Sequence, residues 1–136
     1  HLRSSPNMKN YRQLFTFART ALEKAYAPYS HFRVGAAIEA DDGKVYAGCN
    51  VENVSYPCGT CAEAGAVAAM VCGGSAKIRR ILVTSDGAAL VAPCGACLQR
   101  ILEFSLPETE ILLADREGVK KTMTINELLP NAFKEF

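Results

Sequence analysis

Neither sign of charge dominates this chain: fifteen basic residues stand against fourteen acidic ones, a net of +1. With no bulk field, a polynucleotide or an acidic membrane has no electrostatic reason to gather on the surface, and a small neutral partner fits better. Long hydrophobic runs are missing too, since none reaches the roughly 18 to 20 residues that span a bilayer. The start lacks the charged-then-apolar pattern of a secretion signal. No internal repeat, linker or low-complexity stretch divides the 136 residues, and that length is short for two cores of useful size. These absences leave a single cytoplasmic globular domain, expected over residues 8–136, with residues 1–7 read as a leader before a natural start at Met8. Hydrophobic residues at 49% and charged ones at 21% are the balance of a chain with a packed core.

What is present begins with six cysteines, at 49, 58, 61, 72, 94 and 97. Without a secretory context these point to metal ligation or catalysis before disulfides. Around them, Leu14, Phe15, Ala18, Leu22 and Ala25 recur at helical spacing within Tyr11 to Ala25. Val34 to Ala40 and Val45 to Asn50 read as a hairpin around Asp41 to Lys44. Alanine-rich Cys61 to Cys72 predicts a buried helix closed by Gly73 and Gly74. Short strands are expected at Ile81 to Thr84 and Ile111 to Ala114, with a helix from Gly95 to Phe104 behind Pro93. A weak strand around Lys120 to Thr122 then leads to a capping box from Thr124 to Glu127. Helix, hairpin, helix, strand, helix and strands make an α/β layered domain.

Three of the cysteines fall where two predicted helices begin: Cys61 opens one, and Cys94 with Cys97 opens the other. A catalytic zinc takes three protein ligands and keeps its fourth position for water. The partial positive charge of helix amino ends lowers thiol pKa and offsets the negative charge of three thiolates. Glu63, two residues after Cys61, can stand beside the metal without ligating it, take the proton of a metal-bound water so that the hydroxide attacks an electrophilic ring carbon bearing an amine, and then protonate the ring and the leaving group.

Cys61-Ala-Glu63 followed by Pro93-Cys-Gly-Ala-Cys97 matches the three-cysteine form of the zinc nucleobase deaminase signature. The chain resembles the small homotetrameric cytidine deaminases over Met8 to Phe136. The likeness extends to Pro28-Tyr-Ser-His-Phe-Arg-Val-Gly-Ala-Ala37, Asn50-Val-Glu-Asn-Val-Ser-Tyr56 and Leu128-Leu-Pro-Asn-Ala-Phe133. That resemblance implies a three-layer α/β/α domain with a mixed central sheet, one Zn²⁺ per subunit and hydrolysis of cytidine and 2'-deoxycytidine in pyrimidine salvage. It implies that Asn50 and Glu52 bind the ribose hydroxyls, that Phe32 packs on the pyrimidine and that the Ala62 backbone contacts the ring. Tyr56 and Phe133 would reach a neighbouring subunit's site. An amide and a carboxylate suit a diol, and an aromatic face suits a base. The family commonly has arginine after the catalytic glutamate and after the last cysteine. Here Ala64 and Leu98 stand there, leaving helix dipoles or a residue such as Arg100 to share thiolate charge.

Two other readings stay open on the residues alone. Cys58 with Cys61 and Cys94 with Cys97 form two CxxC pairs, which could make a closed structural zinc site in a non-catalytic interaction domain. The same deaminase chemistry could also serve another aminopyrimidine nucleoside or a related antibiotic. Cys49 and Cys72 read as packing residues, and His31, in a loop led by Pro28, as a surface or interface residue.

Overall fold

The structure, a computed structural model, describes residues 4–135. Helix α1 (Ser4–Glu23) precedes the hairpin β1 (Val34–Ala40) and β2 (Val45–Cys49), then α2 (Ala62–Cys72), β3 (Ile78–Ser85) and α3 (Gly95–Glu103). Strands β4 (Ser105–Ala114) and β5 (Val119–Thr124) and the short α4 (Ile125–Leu128) complete it. The sheet runs in the order β2-β1-β3-β4-β5. Within this sheet β3 and β4 pair in parallel and the other neighbouring strands antiparallel. The parallel pair needs a crossover, which α3 supplies.

Side chains of a strand alternate between faces, and here each face has its own core. Ala36, Ile38, Ile81, Val83, Ile111 and Leu113 pack with Ala66, Met70, Leu98 and Ile101 of α2 and α3. On the opposite face Ala37, Leu82 and Leu112 pack with Leu14 and Ala18 of α1. Covering both faces explains why the central strands read as unbroken apolar runs. It also gives the expected three-layer α/β/α domain with a mixed sheet.

Helix α2 lies directly on β2 because Gly48 has no side chain. A Cβ there would meet the Ala62 carbonyl oxygen at 2.5 Å and the Gly65 carbonyl carbon at 2.7 Å. This approach fixes the amino end of α2 against the sheet.

Several boundaries differ from the sequence expectation. Helix α1 starts at Ser4, ahead of Tyr11 and inside the segment set aside as a leader. It ends at Glu23, so Ala25 lies beyond it, while Leu14, Ala18 and Leu22 are buried as expected. Strands β3 and β4 are longer than the apolar cores that announced them. Their register shifts between Ile78 and Arg80, where residues 106–109 of β4 bulge. Buried Thr109 holds that bulge, its hydroxyl donating to the Ile78 carbonyl (2.6 Å) and accepting from the Leu106 amide (2.7 Å). A proline and exposed polar residues hide such a strand from periodicity. The capping box of α4 forms as expected, with Thr124 and Glu127 satisfying each other's amides.

Candidate active site

The amino ends of α2 and α3 carry the candidate chemistry. Cys61 is the N-cap of α2 and Cys94 that of α3, both in extended conformation. Neither side chain caps its helix, so both thiols remain available. Cys97 sits in the first turn of α3 and is buried. Ligand atoms of Cys61, Glu63 and Cys97 all lie within 4.8 Å of one another.

The Cys61 and Cys97 sulfurs are in direct contact, in disulfide-like geometry. Their Cα atoms are 7.7 Å apart, beyond the 7 Å or so that a disulfide spans without backbone movement. Two thiolates facing a common ion need no such approach, so the donor set fits a metal better than a crosslink. Cys94 is exposed and is not part of the set within 4.8 Å, although it adjoins it at the head of α3. Cys58 is also exposed, with its thiol 3.7 Å from the Ser55 hydroxyl. A closed four-thiolate arrangement is therefore not formed.

Glu63 is 5% exposed. Burial raises its pKa above the ordinary glutamate range, opposed by its hydrogen bond to a backbone amide and by the charge of Arg100. A carboxyl held above its ordinary range keeps its protonated form more accessible, which suits a group that both takes and returns protons. Arg100 itself donates to Cys97 Sγ at 3.5 Å and lies 3.8 Å from Cys61 Sγ.

Phe32, Asn50 and Glu52, three of the residues expected to meet a nucleoside, come together at the loop between α1 and β1. Phe32 is 37% exposed. Its ring is the near neighbour of Gly87, at whose Cα a methyl would come within 3.3 Å. Asn50 clamps this loop: its Nδ2 donates to the Phe32 carbonyl and its Oδ1 accepts from the Val34 amide, both at 2.9 Å. Glu52 accepts from the Tyr29 and Ser30 amides at 3.0 and 3.1 Å, and from the Ser30 hydroxyl. The Ser30 hydroxyl also accepts from the Phe32 amide at 3.0 Å.

Sequence reasoning missed this positioning role of Asn50 and Glu52, and missed Ser30 altogether. A serine two residues before an aromatic gives no signal of its own. Arg33 closes the loop from the other side, bonded to Asp86 at 2.8 Å.

A cavity of about 370 Å³ opens beside the loop, lined by Tyr29, Val51, Glu52, Tyr56 and Thr60 among others. Its lining takes in Glu52, Tyr56 and Thr60, the residue before Cys61, but not Cys61, Phe32, Asn50 or Glu63. Phe133 lies elsewhere, 64% exposed, its carbonyl accepting from Gln99 at 2.8 Å. The Ala62 side chain is fully buried at the start of α2.

Residues 8–113 match the cytidine and deoxycytidylate deaminase zinc-binding region. The chain belongs to that family. It is 40% identical over 123 residues to a cytidine deaminase of Sporosarcina psychrophila, a match covering 90% of each. The crystal structure of cytidine deaminase from Burkholderia pseudomallei superposes with a TM-score of 0.85 at 42% identity, covering 90% of this chain and 98% of that one. The enzyme from Mycobacterium tuberculosis superposes at 0.79 with 37% identity, over 92% and 98% of the two chains. Membership makes zinc the ion that the thiol and carboxylate cluster fits.

Proposed function

We propose that the chain hydrolyses cytidine and 2'-deoxycytidine to uridine and 2'-deoxyuridine, releasing ammonia. The observation that carries this reading is the convergence of Cys61, Glu63 and Cys97 at two helix amino ends. Cys61, Cys94 and Cys97 would hold one zinc per subunit. When bound, zinc supplies the Lewis acidity that makes water a nucleophile near neutral pH. Glu63 takes a proton from the attacking water and returns protons to the ring and to the leaving amine, for which its raised pKa suits it.

Phe32 would pack on the pyrimidine, the Ala62 backbone would contact the ring, and Asn50 and Glu52 would take the ribose hydroxyls. Their loop hydrogen bonds leave lone pairs for this, since a carboxylate accepts at about four sites. We further read the enzyme as a homotetramer in which Tyr56 and Phe133 complete a neighbouring subunit's site. Val54 and Tyr56 of one loop, 76% and 77% exposed, and Phe133 on a separate part of the surface, 64% exposed, support it as apolar side chains that a neighbouring subunit could cover. The thiolate donors favour a reducing, cytoplasmic setting, and the near-neutral charge a nucleoside in preference to a polynucleotide. Among the described residues no helix is long and apolar enough to cross a membrane.

The test is the loss of cytidine absorbance with purified protein beside Glu63→Gln, zinc being assayed in both. General acid and base catalysis contributes about 10²- to 10⁴-fold, so the zinc-loaded variant should lose at least that much in kcat. Zinc-loaded wild type that turns over no cytidine would overturn the proposal.

A further inference from the structure

Arg100 lies three residues beyond Cys97 on α3, a spacing that puts both on one helix face. Its Nη1 is 3.5 Å from the Cys97 sulfur and 3.8 Å from the Cys61 sulfur, on a different helix. One guanidinium therefore bridges two of the thiols that converge with Glu63. The positions flanking the motif offer no charge: Ala64 follows Glu63, and Leu98, following Cys97, is buried in the core beneath α3.

Three thiolates around a divalent ion leave the cluster with a net negative charge. Electron-rich sulfurs donate strongly and blunt the Lewis acidity that the reaction needs. Charge-assisted N–H bonds to those sulfurs draw density back, and such outer partners commonly govern a site as much as its ligands do. Helix dipoles act on all three cysteines alike, whereas Arg100 reaches two in particular.

We propose that Arg100 is a positioning and charge-sharing residue that ties Cys61 of the α2 end to Cys97 of α3 and limits how strongly both sulfurs donate to the metal. This rests on the zinc deaminase reading, so the experiment separates the two.

Wild type, Arg100→Met and Arg100→Lys are each loaded with one cobalt(II) per chain, and the sulfur-to-cobalt charge-transfer bands are recorded. Loss of the hydrogen bonds makes the sulfurs better donors, so the bands of Arg100→Met should move to longer wavelength. With zinc loaded, kcat should fall about 10- to 100-fold with KM changed less than threefold. Arg100→Lys, which keeps the charge, should recover most of both effects. A residue that merely stabilised α3 would leave the band energies in place.

Unmoved bands in Arg100→Met, or a lysine variant as impaired as the methionine one, overturn the charge-sharing role while leaving the deaminase reading intact. Wild type that shows no sulfur-to-cobalt band overturns both.

Discussion

Cys61, Glu63 and Cys97 converge within one chain at two helix ends, with Glu63 almost sealed from solvent. Tyr56 and Phe133 stand 77% and 64% exposed on the surface of the same chain. The first group is finished by local structure: a helix start, an N-cap and a glycine that lets α2 rest on β2. The second has no such enclosure within one copy. The contrast teaches that the reacting end is brought together within one chain, while the two aromatics proposed to reach a neighbour's site are left exposed by that chain.

The widest separation between these regions should appear on removing a ligand. Cys97→Ser or Cys94→Ser should lose stoichiometric zinc and measurable turnover, as judged by atomic emission and the cytidine absorbance assay. Cys58→Ser should keep both, because Cys58 lies in the Tyr56–Cys58 turn with its thiol beside the Ser55 hydroxyl, whereas Cys94 is the N-cap of the helix that carries Cys97. Zinc released by Cys58→Ser would return the closed four-thiolate site to consideration. Full zinc in Cys94→Ser would show that the third ligand lies elsewhere, a sharp question because Cys94 is not within the 4.8 Å set.

What the sequence makes legible follows the same division. Cys61-Ala-Glu63 and Pro93-Cys-Gly-Ala-Cys97 could be read directly, because a metal needs fixed residue types and helix starts announce themselves through proline and spacing. The central strands were legible as apolar runs, and the Thr124 capping box as a pattern. The first half of β4 was not, since half-buried Leu106 and exposed Pro107 and Glu108 carry no period and the stretch is held by the hydroxyl of Thr109. Asn50, Glu52 and Ser30 share the difficulty. Their bonds to the loop depend on how α1, β1 and β2 come together, which no local pattern encodes. Arg100 lay in between: its helical spacing from Cys97 was visible, but its reach to Cys61 required the packing of α2 against α3.

Tyr56 offers the next largest effect and bears on whether sites are shared. Losing an aromatic contact of roughly 0.5–1.5 kcal/mol should raise KM in Tyr56→Ala about twofold to tenfold. Folding stability of a chain so exposed at this position should stay within about 0.5 kcal/mol. Mixing tells more. If Tyr56 serves a neighbour, unfolding and refolding Tyr56→Ala together with inactive Glu63→Gln should assemble some sites with both residues intact. The mixture should then exceed the sum of the separate activities. No gain on mixing, with mixed oligomers verified by mass spectrometry, would place Tyr56 in its own subunit's site.

The smallest effect concerns the loop between α1 and β1 that Glu52 and Asn50 hold. Glu52 has its pKa lowered from the ordinary 4.5, chiefly by the Ser30 hydroxyl and then by the Ser30 and Tyr29 amides. A carboxyl held low in the folded state favours the ordered loop above its unfolded pKa, and this contribution fades as pH falls through the folded value. Wild type should therefore keep the Tyr29 and Ser30 amides protected from exchange at pH 4.5 and lose that protection only at lower pH. In Ser30→Ala the largest cause of the depression is gone. The Glu52 carbon resonance should titrate closer to 4.5, and amide protection should fade at correspondingly higher pH, with activity at neutral pH little changed. An unchanged Glu52 titration in Ser30→Ala would mean that the backbone amides alone hold the carboxylate. The loop under Phe32 would then owe its shape to Asn50, whose amide does not titrate and whose grip on Phe32 and Val34 should persist across the whole range.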